Sequence, residues 1–572
     1  MLKGIGASDG IAIGKVLVYE PTDVVIENKP TKDKEKELLT FDNALDKSIQ
    51  SIEQLRYQTE KNVNKETAAI FTAHIEILKD PELIGSIKSM ITDESMNAAY
   101  ATKTISDQFV SMFKNMDNEY LRERAADIED VSTRLIRSIM NVETISLSDI
   151  TDEVIIVSKD LSPSDTAQMN KEKVLGFITD IGGRTSHSAI MARTLEIPAV
   201  LGTTSSTKNL LNGDYVILDG VTGEVFINPD KSLIDDYLSK KNELLIEKLR
   251  RENLVDCKTL TSDSFHVELA ANIGSPKDVE GVLANGAEGI GLYRTEFLYM
   301  DQTDFPSEKE QFEAYKKVLS SMKDKPVVIR TLDIGGDKSL DYMTMPKEMN
   351  PFLGVRAIRL CLKKTGLFRT QLRALLRASE YGDLHIMFPM IASINELLEV
   401  KSILKSVEEE LKSEDIQIRS YKIGIMIEIP AAALAAEHLA KEVDFFSIGT
   451  NDLIQYTFAA DRMNEEVSYL YQPLNPSLLK LISMVSKAAN DNGIWVGMCG
   501  EMASDERAVP ILIGLGLKEL SMSATSILKV RDLVSKFSIT SARDLAEKVL
   551  PLSTEEEVVK TVNEFLEGVQ HG

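Results

Sequence analysis

The chain has 572 residues, more than a single hydrophobic core organises, so three or four structural units are expected. It carries 89 acidic against 65 basic residues, a formal net charge of -24, which excludes the basic face that nucleic acid requires, while 43% hydrophobic residues mark a globular composition. Three scattered cysteines, a start unlike a leader and no run near the ~20 apolar residues of a membrane span argue against a zinc-cysteine site, a disulfide framework and membrane insertion.

In chain order, Gly10 to Glu20 alternates apolar and small residues and is predicted to be a strand. From about Thr31 to Met140 the pattern turns helical. Leu38, Phe41, Leu45, Ile49, Ile52 and Leu55 step by three and four along one face, and Pro81 opens a new helix carrying Leu83, Ile84, Ile87 and Ile91. Further helices are predicted over Ala98 to Phe113 and Tyr120 to Ile139. This insert, 31–140, holds 20 acidic against 15 basic residues, so its exposed face is either simply solvated or a docking surface for a basic partner.

Short strands resume at Glu153 to Ser158, Val174 to Thr179, Ile197 to Leu201, Asp214 to Asp219 and Glu224 to Asn228. They enclose Gly182-Gly-Arg-Thr-Ser-His-Ser-Ala-Ile-Met-Ala-Arg193. Two glycines make a tight turn, and Thr185 or Ser186 caps the helix that follows, which sets the His187 imidazole at a helix N-terminus. Unpaired N–H groups and partial positive charge there suit a phosphate, and a neutral imidazole is a competent nucleophile toward phosphorus. A capping-turn histidine without chemistry is the plainer reading of this segment alone.

Lys231 to about Glu252 lacks glycine and is rich in Lys, Glu and Leu, as in an exposed linking helix. Eight β-like runs follow, at His266 to Asn272, Gly289 to Arg294, Val327 to Asp333, His385 to Pro389, Ile423 to Ile429, Phe445 to Gly449, Trp495 to Gly500 and Glu519 to Ser523. With helices between most of them, they give the count of a TIM barrel. In such a barrel the working groups stand at the C-terminal strand ends. Those ends supply Asn272, Arg294 with Glu296, Arg330 with Asp333, Glu428, Asn451 with Asp452, and Cys499 with Glu501, while Arg356 and Arg462 come from connections. Two carboxylates, Glu428 and Asp452, make a sparse hard-oxygen site suited to Mg2+ or Mn2+. Several arginines around it match a small anion bearing carboxylate and phosphate. Cys499, flanked by small residues, is a candidate for proton transfer at that site.

Together these motifs resemble one family, Enzyme I of the bacterial sugar phosphotransferase system. The likeness rests on the His187 stretch and on Gly291-Leu-Tyr-Arg-Thr-Glu-Phe-Leu298, Arg330-Thr-Leu-Asp-Ile-Gly-Gly-Asp-Lys338, Ile427-Glu-Ile-Pro430, Ser447-Ile-Gly-Thr-Asn-Asp-Leu453 and Gly497-Met-Cys-Gly-Glu501. The resemblance implies a phosphohistidine α/β domain over 1–30 and 141–230, an inserted all-helical domain over 31–140 for phosphocarrier docking, a linker helix over 231–260, and a (β/α)8 barrel over 261–572 that binds phosphoenolpyruvate and dimerises. It implies that His187 becomes phosphorylated, that Arg294, Arg330, Asn451 and Arg462 hold phosphoenolpyruvate with Arg356 beside them, and that Glu428 and Asp452 ligate Mg2+. Cys499 is then the acid that protonates the enolate of pyruvate, Thr166 orients the histidine, and the histidine phosphocarrier protein HPr receives the phosphoryl group in the cytoplasm. Asp9 and Ser188 depart from the family's usual Pro and Thr. A pyruvate phosphate dikinase or phosphoenolpyruvate synthase is the nearest enzymatic alternative, but no Walker-type phosphate loop occurs and no room remains for a nucleotide-binding domain. A non-catalytic phosphoenolpyruvate-binding regulator is the alternative from another class.

Overall fold

The computed structural model describes all residues except 20–25, 63–64, 115–118, 143–146, 148–149, 162–164, 166–168, 171–172, 184–185, 196, 301, 303, 337, 339, 341, 344–347, 463 and 572; the side chains of 58–70, 114–124, 126, 187, 190, 194, 465 and 570–571 lie outside it as well. The chain forms two compact units, Met1–Ile246 and Glu247–Gly572.

The first unit opens with strands β1 (Leu2–Lys3), β2 (Ile5–Ser8) and β3 (Ile11–Val18), then leaves the sheet for helices α1 (Lys34–Asn62), α2 (Lys65–Leu78), α3 (Pro81–Thr92), α4 (Ala98–Lys114) and α5 (Glu119–Met140). It returns with β4 (Val154–Ser158), β5 (Val174–Thr179), α6 (His187–Leu195), β6 (Ala199–Leu201), α7 (Ser206–Asn209), β7 (Tyr215–Asp219) and β8 (Glu224–Ile227). One sheet results, in the order β1-β8-β7-β3-β4-β5-β6-β2. Its central strands β3 to β6 run parallel, with β7 antiparallel against β3 and β2 antiparallel against β6. Strands buried on both faces read as continuous apolar runs, and β4 shows why. Ile155 and Val157 join one core with Ile178 and Val200. Ile156 faces the other way, toward Phe177, Ala199 and the Ala189, Met191, Ala192 and Leu195 face of α6.

In the helical insert, Asp80 Oδ1 accepts from the Glu82 and Leu83 amides at 2.8 and 2.9 Å, and Pro81 occupies the first helical position. Phe41, Phe71, Ile87 and Ile91 form its interior. His74 is buried there, 3.4 Å from Asp127 and edge-on to Phe71, as expected of a packed histidine. The linking helix is observed as α8 (Lys231–Glu252). No helix among the described residues is long and apolar enough to cross a membrane.

The second unit is a closed barrel of β9 (Glu268–Ile273), β10 (Gly289–Arg294), β11 (Pro326–Arg330), β12 (Asp383–Phe388), β13 (Lys422–Ile427), β14 (Phe445–Ile448), β15 (Trp495–Met498) and β16 (Glu519–Met522). Every pairing is parallel, and β16 closes on β9 with Glu519 opposite Glu268. Val496, Met498, Leu520 and Met522 point outward into the shell of helices. Leu292, Val328, Met387, Met426, Phe445 and Cys499 form a small apolar cluster of their own, with Phe445 stacked on Trp495 at 4.5 Å. The sequence-predicted strands at 327–333 and 423–429 overshoot, because ladder pairing stops at Arg330 and Ile427 and the polar residues beyond them enter loops.

Arg531, on the helix Ile527–Val534 that follows β16, is buried and donates to the carbonyls of Leu254, Val255 and Gly286 and to the Thr259 hydroxyl. Arg531→Met would strand those acceptors without water. The expected result is a loss of about 3 kcal/mol, seen by calorimetry as a lower midpoint for the barrel transition alone.

Candidate active site

The barrel's C-terminal end gathers an ionic network from four strand ends. Arg330, the last residue of β11, is buried, and its Nη2 lies 2.6 Å from Glu296 Oε1 and 3.1 Å from Asp333 Oδ2. Its Nη1 approaches the Met426 sulfur at 3.7 Å. Arg356 is buried as well, with Nη2 at 3.1 Å from Asp333 Oδ1 and Nη1 at 3.3 Å from the Tyr456 hydroxyl and 3.6 Å from Asp452 Oδ1. Lys338 Nζ adds contacts of 2.8 Å to Glu296 and 3.1 Å to Asp333. Asp333 therefore holds both guanidiniums. Although burial opposes the charge of each, the arginines and the lysine keep Asp333 well below the usual carboxylate range, and the carboxylates keep both arginines cationic.

Glu428 stands just past β13, and its Oε1 accepts from the Met390 amide at 2.6 Å. Met390 holds that position with φ of 57°, and Ala357, next to Arg356, has φ of 50°. Both are non-glycine residues in the left-handed region, a strain that marks functional sites. Burial, then Asp452 and Asp333, push the Glu428 carboxyl up to about 8. Asp452 sits in the first turn of the helix Thr450–Phe458 after β14, and its Oδ1 makes no hydrogen bond among the described residues. Among those residues no group of three or more His, Cys, Asp or Glu side chains forms a metal cage. Two mutually repelling carboxylates, one with an orphaned oxygen, are instead the donor set of an ion that keeps most of its positions for water and substrate oxygens. A divalent cation fits this chemistry, since it would relieve the repulsion that raises Glu428.

Cys499, at the end of β15, is buried with its sulfur 3.8 Å from the Ile448 carbonyl. Burial pushes its thiol up to about 11, with Arg330 pulling against it and Glu428 reinforcing it, so it stays protonated and feels both halves of the site. Gly500 follows. Any Cβ there would overlap Thr450, the residue two before Asp452, so the loop after β15 is pressed directly onto the loop after β14.

Asn451 Oδ1 accepts from the Tyr471 hydroxyl at 3.2 Å, which leaves its amide protons for another acceptor. Arg294 ends β10 half-buried and has no carboxylate within ion-pair distance among the described residues. Arg462 is half-buried, its amide 3.2 Å from Gln455 Oε1, and its charge acts on Tyr471. Arg330, Arg356, Glu428, Asp452 and Cys499 are thus joined by direct contacts or mutual electrostatic influence. Asn451 and Arg462 are linked through Tyr471, and Arg294 stands apart from the network. Glu296 and Asp333 were visible at strand ends, but their role as arginine anchors was not, and Tyr456 and Tyr471 were missed; an aromatic in a connecting segment gives no sequence signal of its partner.

His187 is carried by the first unit, where it is the first residue of α6. Ser186 caps that helix, its Oγ accepting from the Ala189 amide at 3.3 Å. Ser188 donates to the Leu161 carbonyl at 3.1 Å and to Asp160 Oδ1 at 3.3 Å, tying the first turn to the loop after β4. The imidazole of His187 and all of Thr166 lie outside the described residues.

Comparison with known proteins gives the class first. Three family models match the chain in succession: the N-terminal part of PEP-utilising enzymes over residues 3–124, their mobile domain over 150–223 and their PEP-binding domain over 248–539. The chain is 56% identical to the phosphoenolpyruvate-protein phosphotransferase of Bacillus subtilis, over 98% of this chain and 99% of that protein. It is 54% identical to the protein of the same name from Staphylococcus carnosus, over 99% of each. A solution structure of an Enzyme I (nEIt) protein is 45% identical, with a TM-score of 0.40, and covers 43% of this chain and 99% of that one. The chain belongs to the phosphoenolpyruvate-protein phosphotransferase family, enzymes of the PEP-utilising class.

Proposed function

We propose that the protein takes the phosphoryl group of phosphoenolpyruvate onto His187 and passes it to the phosphocarrier HPr, releasing pyruvate, as the first step of sugar uptake by phosphotransfer. The observation that carries this reading is the meeting of two buried arginines, two repelling carboxylates and a protonated thiol at one barrel mouth. That set matches phosphoenolpyruvate group by group. Arg330 and Arg356, pre-oriented by Asp333, offer planar donors to phosphate and carboxylate oxygens, and Arg294, Arg462 and Asn451 complete the cradle. Glu428 and Asp452 would hold Mg2+, with Mn2+ as a substitute, and the ion would neutralise phosphoryl oxygens during transfer. Cys499 donates its proton to the enolate carbon as the phosphoryl group leaves, so that pyruvate departs as the ketone. On the acceptor side, the N-terminal end of α6 would favour the phosphate on His187, and Thr166 would orient the ring.

The helical insert 31–140 is read as the docking surface for HPr, and the barrel as the homodimer interface. The domain boundaries follow the same reading, with 1–30 and 141–230 as the phosphohistidine domain, 231–260 as the linker and 261–572 as the barrel domain. The cytoplasm is the expected compartment. Near-complete coverage of relatives named for a protein acceptor supports this reading over a nucleotide-linked dikinase or synthase, and over a non-catalytic regulator.

The test is incubation with Mg2+ and phosphoenolpyruvate labelled in its phosphate. Label should appear on the protein and chase onto added HPr with release of pyruvate; labelling from ATP but not from phosphoenolpyruvate would refute the assignment. Arg294 adds a sharper check. Since it has no carboxylate partner among the described residues, its charge is taken as available to substrate, and Arg294→Met should raise KM for phosphoenolpyruvate by about 10- to 100-fold with a smaller effect on kcat.

A further inference from the structure

Beneath the thiol of Cys499, inside the barrel, lies an acidic residue that the proposed mechanism does not use. Glu519 opens β16, is 4% exposed, and neither of its carboxylate oxygens makes a hydrogen bond among the described residues. Its side chain enters the barrel because two neighbours are glycine. A Cβ at Gly291 of β10 would overlap Oε1, and one at Gly497 of β15 would overlap Oε2. A hydrophobic residue would fill that space at no electrostatic cost, whereas a carboxylate buried there is strongly disfavoured unless it carries a proton. Burial and Glu268 accordingly raise it well above the usual carboxylate range. Such a residue in a barrel interior calls for a reason other than stability.

Its neighbours supply one. Gly497 is the register partner of Glu519, and Cys499 lies two residues further along the same face of β15, directly toward the active-site end. Ser447 of β14 is the register partner of Gly497 on the other side, and its hydroxyl lies beside the thiol, where it favours the thiolate. On the opposite flank, Glu519 is in register with Glu268 of β9, which is only half-buried and sits among His266, Glu288, Asp383 and Lys422 at the far end of the barrel. Glu268 is pushed up to about 7, chiefly by burial and by Glu288. Three groups able to carry a proton therefore run in order through the barrel from the solvent-facing N-terminal end to the buried thiol.

We propose that Glu268 and Glu519 form a proton relay through the barrel interior that reloads Cys499 between turnovers. The inference rests on the reading of Cys499 as the acid. In each turnover the Cys499 S–H bond breaks and its proton forms the new C–H bond at C3 of the enolate, leaving a thiolate. The Glu519 O–H bond then breaks to restore the thiol. The Glu519 carboxylate takes the acid proton of Glu268, and Glu268 takes one from water at the N-terminal end. The thiol is thereby restored from behind, without a proton having to enter through the active-site end. Glu519 acts through Cys499 and touches no substrate.

The test compares the first turnover with later ones. The variant Glu519→Gln keeps the shape of the side chain but has no acidic proton. With phosphoenolpyruvate and Mg2+ in a rapid-quench experiment, its first phosphorylation should match wild type, because the thiol starts loaded. With excess HPr, later turnovers should slow on the order of 10^2-fold, and the ultraviolet absorbance of a thiolate should build up during the steady state. The half-exposed Glu268→Gln should reproduce the pattern and covers the case in which Glu519→Gln fails to fold. Successive turnovers at the wild-type rate without a thiolate signal, in either variant, would overturn the relay. Cys499→Ala separates the two ideas: it should slow the first turnover as well, and a first turnover at the wild-type rate would overturn the acid assignment and the relay with it. A slow first turnover in Cys499→Ala beside normal cycling in Glu519→Gln would overturn the relay alone.

Discussion

Labelled phosphoenolpyruvate should leave no acid-labile phosphate on the His187→Ala variant, and HPr added afterwards should remain unlabelled. The reasoning starts from the helix. α6 begins at His187 and is capped by Ser186, whose Oγ and carbonyl both accept from the Ala189 amide, so the His187 and Ser188 amides stand at the open N-terminal end of the helix. A phosphoryl group on the ring, as proposed, would be held by such donors and by the positive end of the helix dipole. Alanine keeps the helix and its cap but removes the imidazole nitrogens that would form the N–P bond. The loss in transfer rate should be at least about 10^4-fold. Binding of phosphoenolpyruvate and metal should survive, since the residues proposed above to hold them belong to the second unit. Titration calorimetry with phosphoenolpyruvate and Mg2+ would check that, and label persisting on another residue of the variant would discard His187 as the acceptor.

Glu428→Gln should lower turnover on the order of 10^3-fold, the several kcal/mol that a bound metal supplies in charge stabilisation, yet it should not harm the metal-free fold. The amide still accepts from the Met390 N–H, as Oε1 does now at 2.6 Å, and like the protonated acid it carries no charge for Asp452 and Asp333 to repel. The pH dependence makes the distinction measurable. With its carboxyl raised from 4.5 to about 8, folded Glu428 keeps a proton that the unfolded chain has already released. The stability of the metal-free protein should therefore fall as pH rises through that window and level off above it, and the Gln variant should lose this one-proton slope. Thermal midpoints measured in chelator across the window would show it. A variant as pH-sensitive as the parent would mean that Glu428 is ionised throughout and that the crowding of carboxylates has been overestimated.

Much of the barrel was legible because eight short β-like runs are separated by helices and polar residues collect where those runs end. Glu428, Asp452 and Cys499 could be picked out on that ground alone. The bonds that organise them could not, since Arg330 meets Glu296 across 34 positions and Arg356 meets Asp452 across 96. Only closure of the ring brings such pairs together. Glu519 escaped notice for a related reason. An acid opening a strand reads as solvent-facing, and the space it fills is created by Gly291 and Gly497 on two other strands. In the first unit, β1 and β2 were missed because two- and four-residue strands are too short to show alternation, and each is defined by an antiparallel partner some 200 residues away, on β8 and β6. The residues of α6 fell within the predicted helix, whose start needed only Ser186 and the apolar step that follows.

The close seat of Gly500 against Thr450 has a mechanical consequence. One loop carries the thiol, the other the carboxylate proposed above as a metal ligand, and no slack separates them. An ion of larger radius that displaces Asp452 must also shift the backbone next to Cys499. Exchanging one cation for another should thus alter the timing of proton delivery as well as affinity, so that the choice of metal becomes a gear ratio between phosphoryl departure and ketone formation.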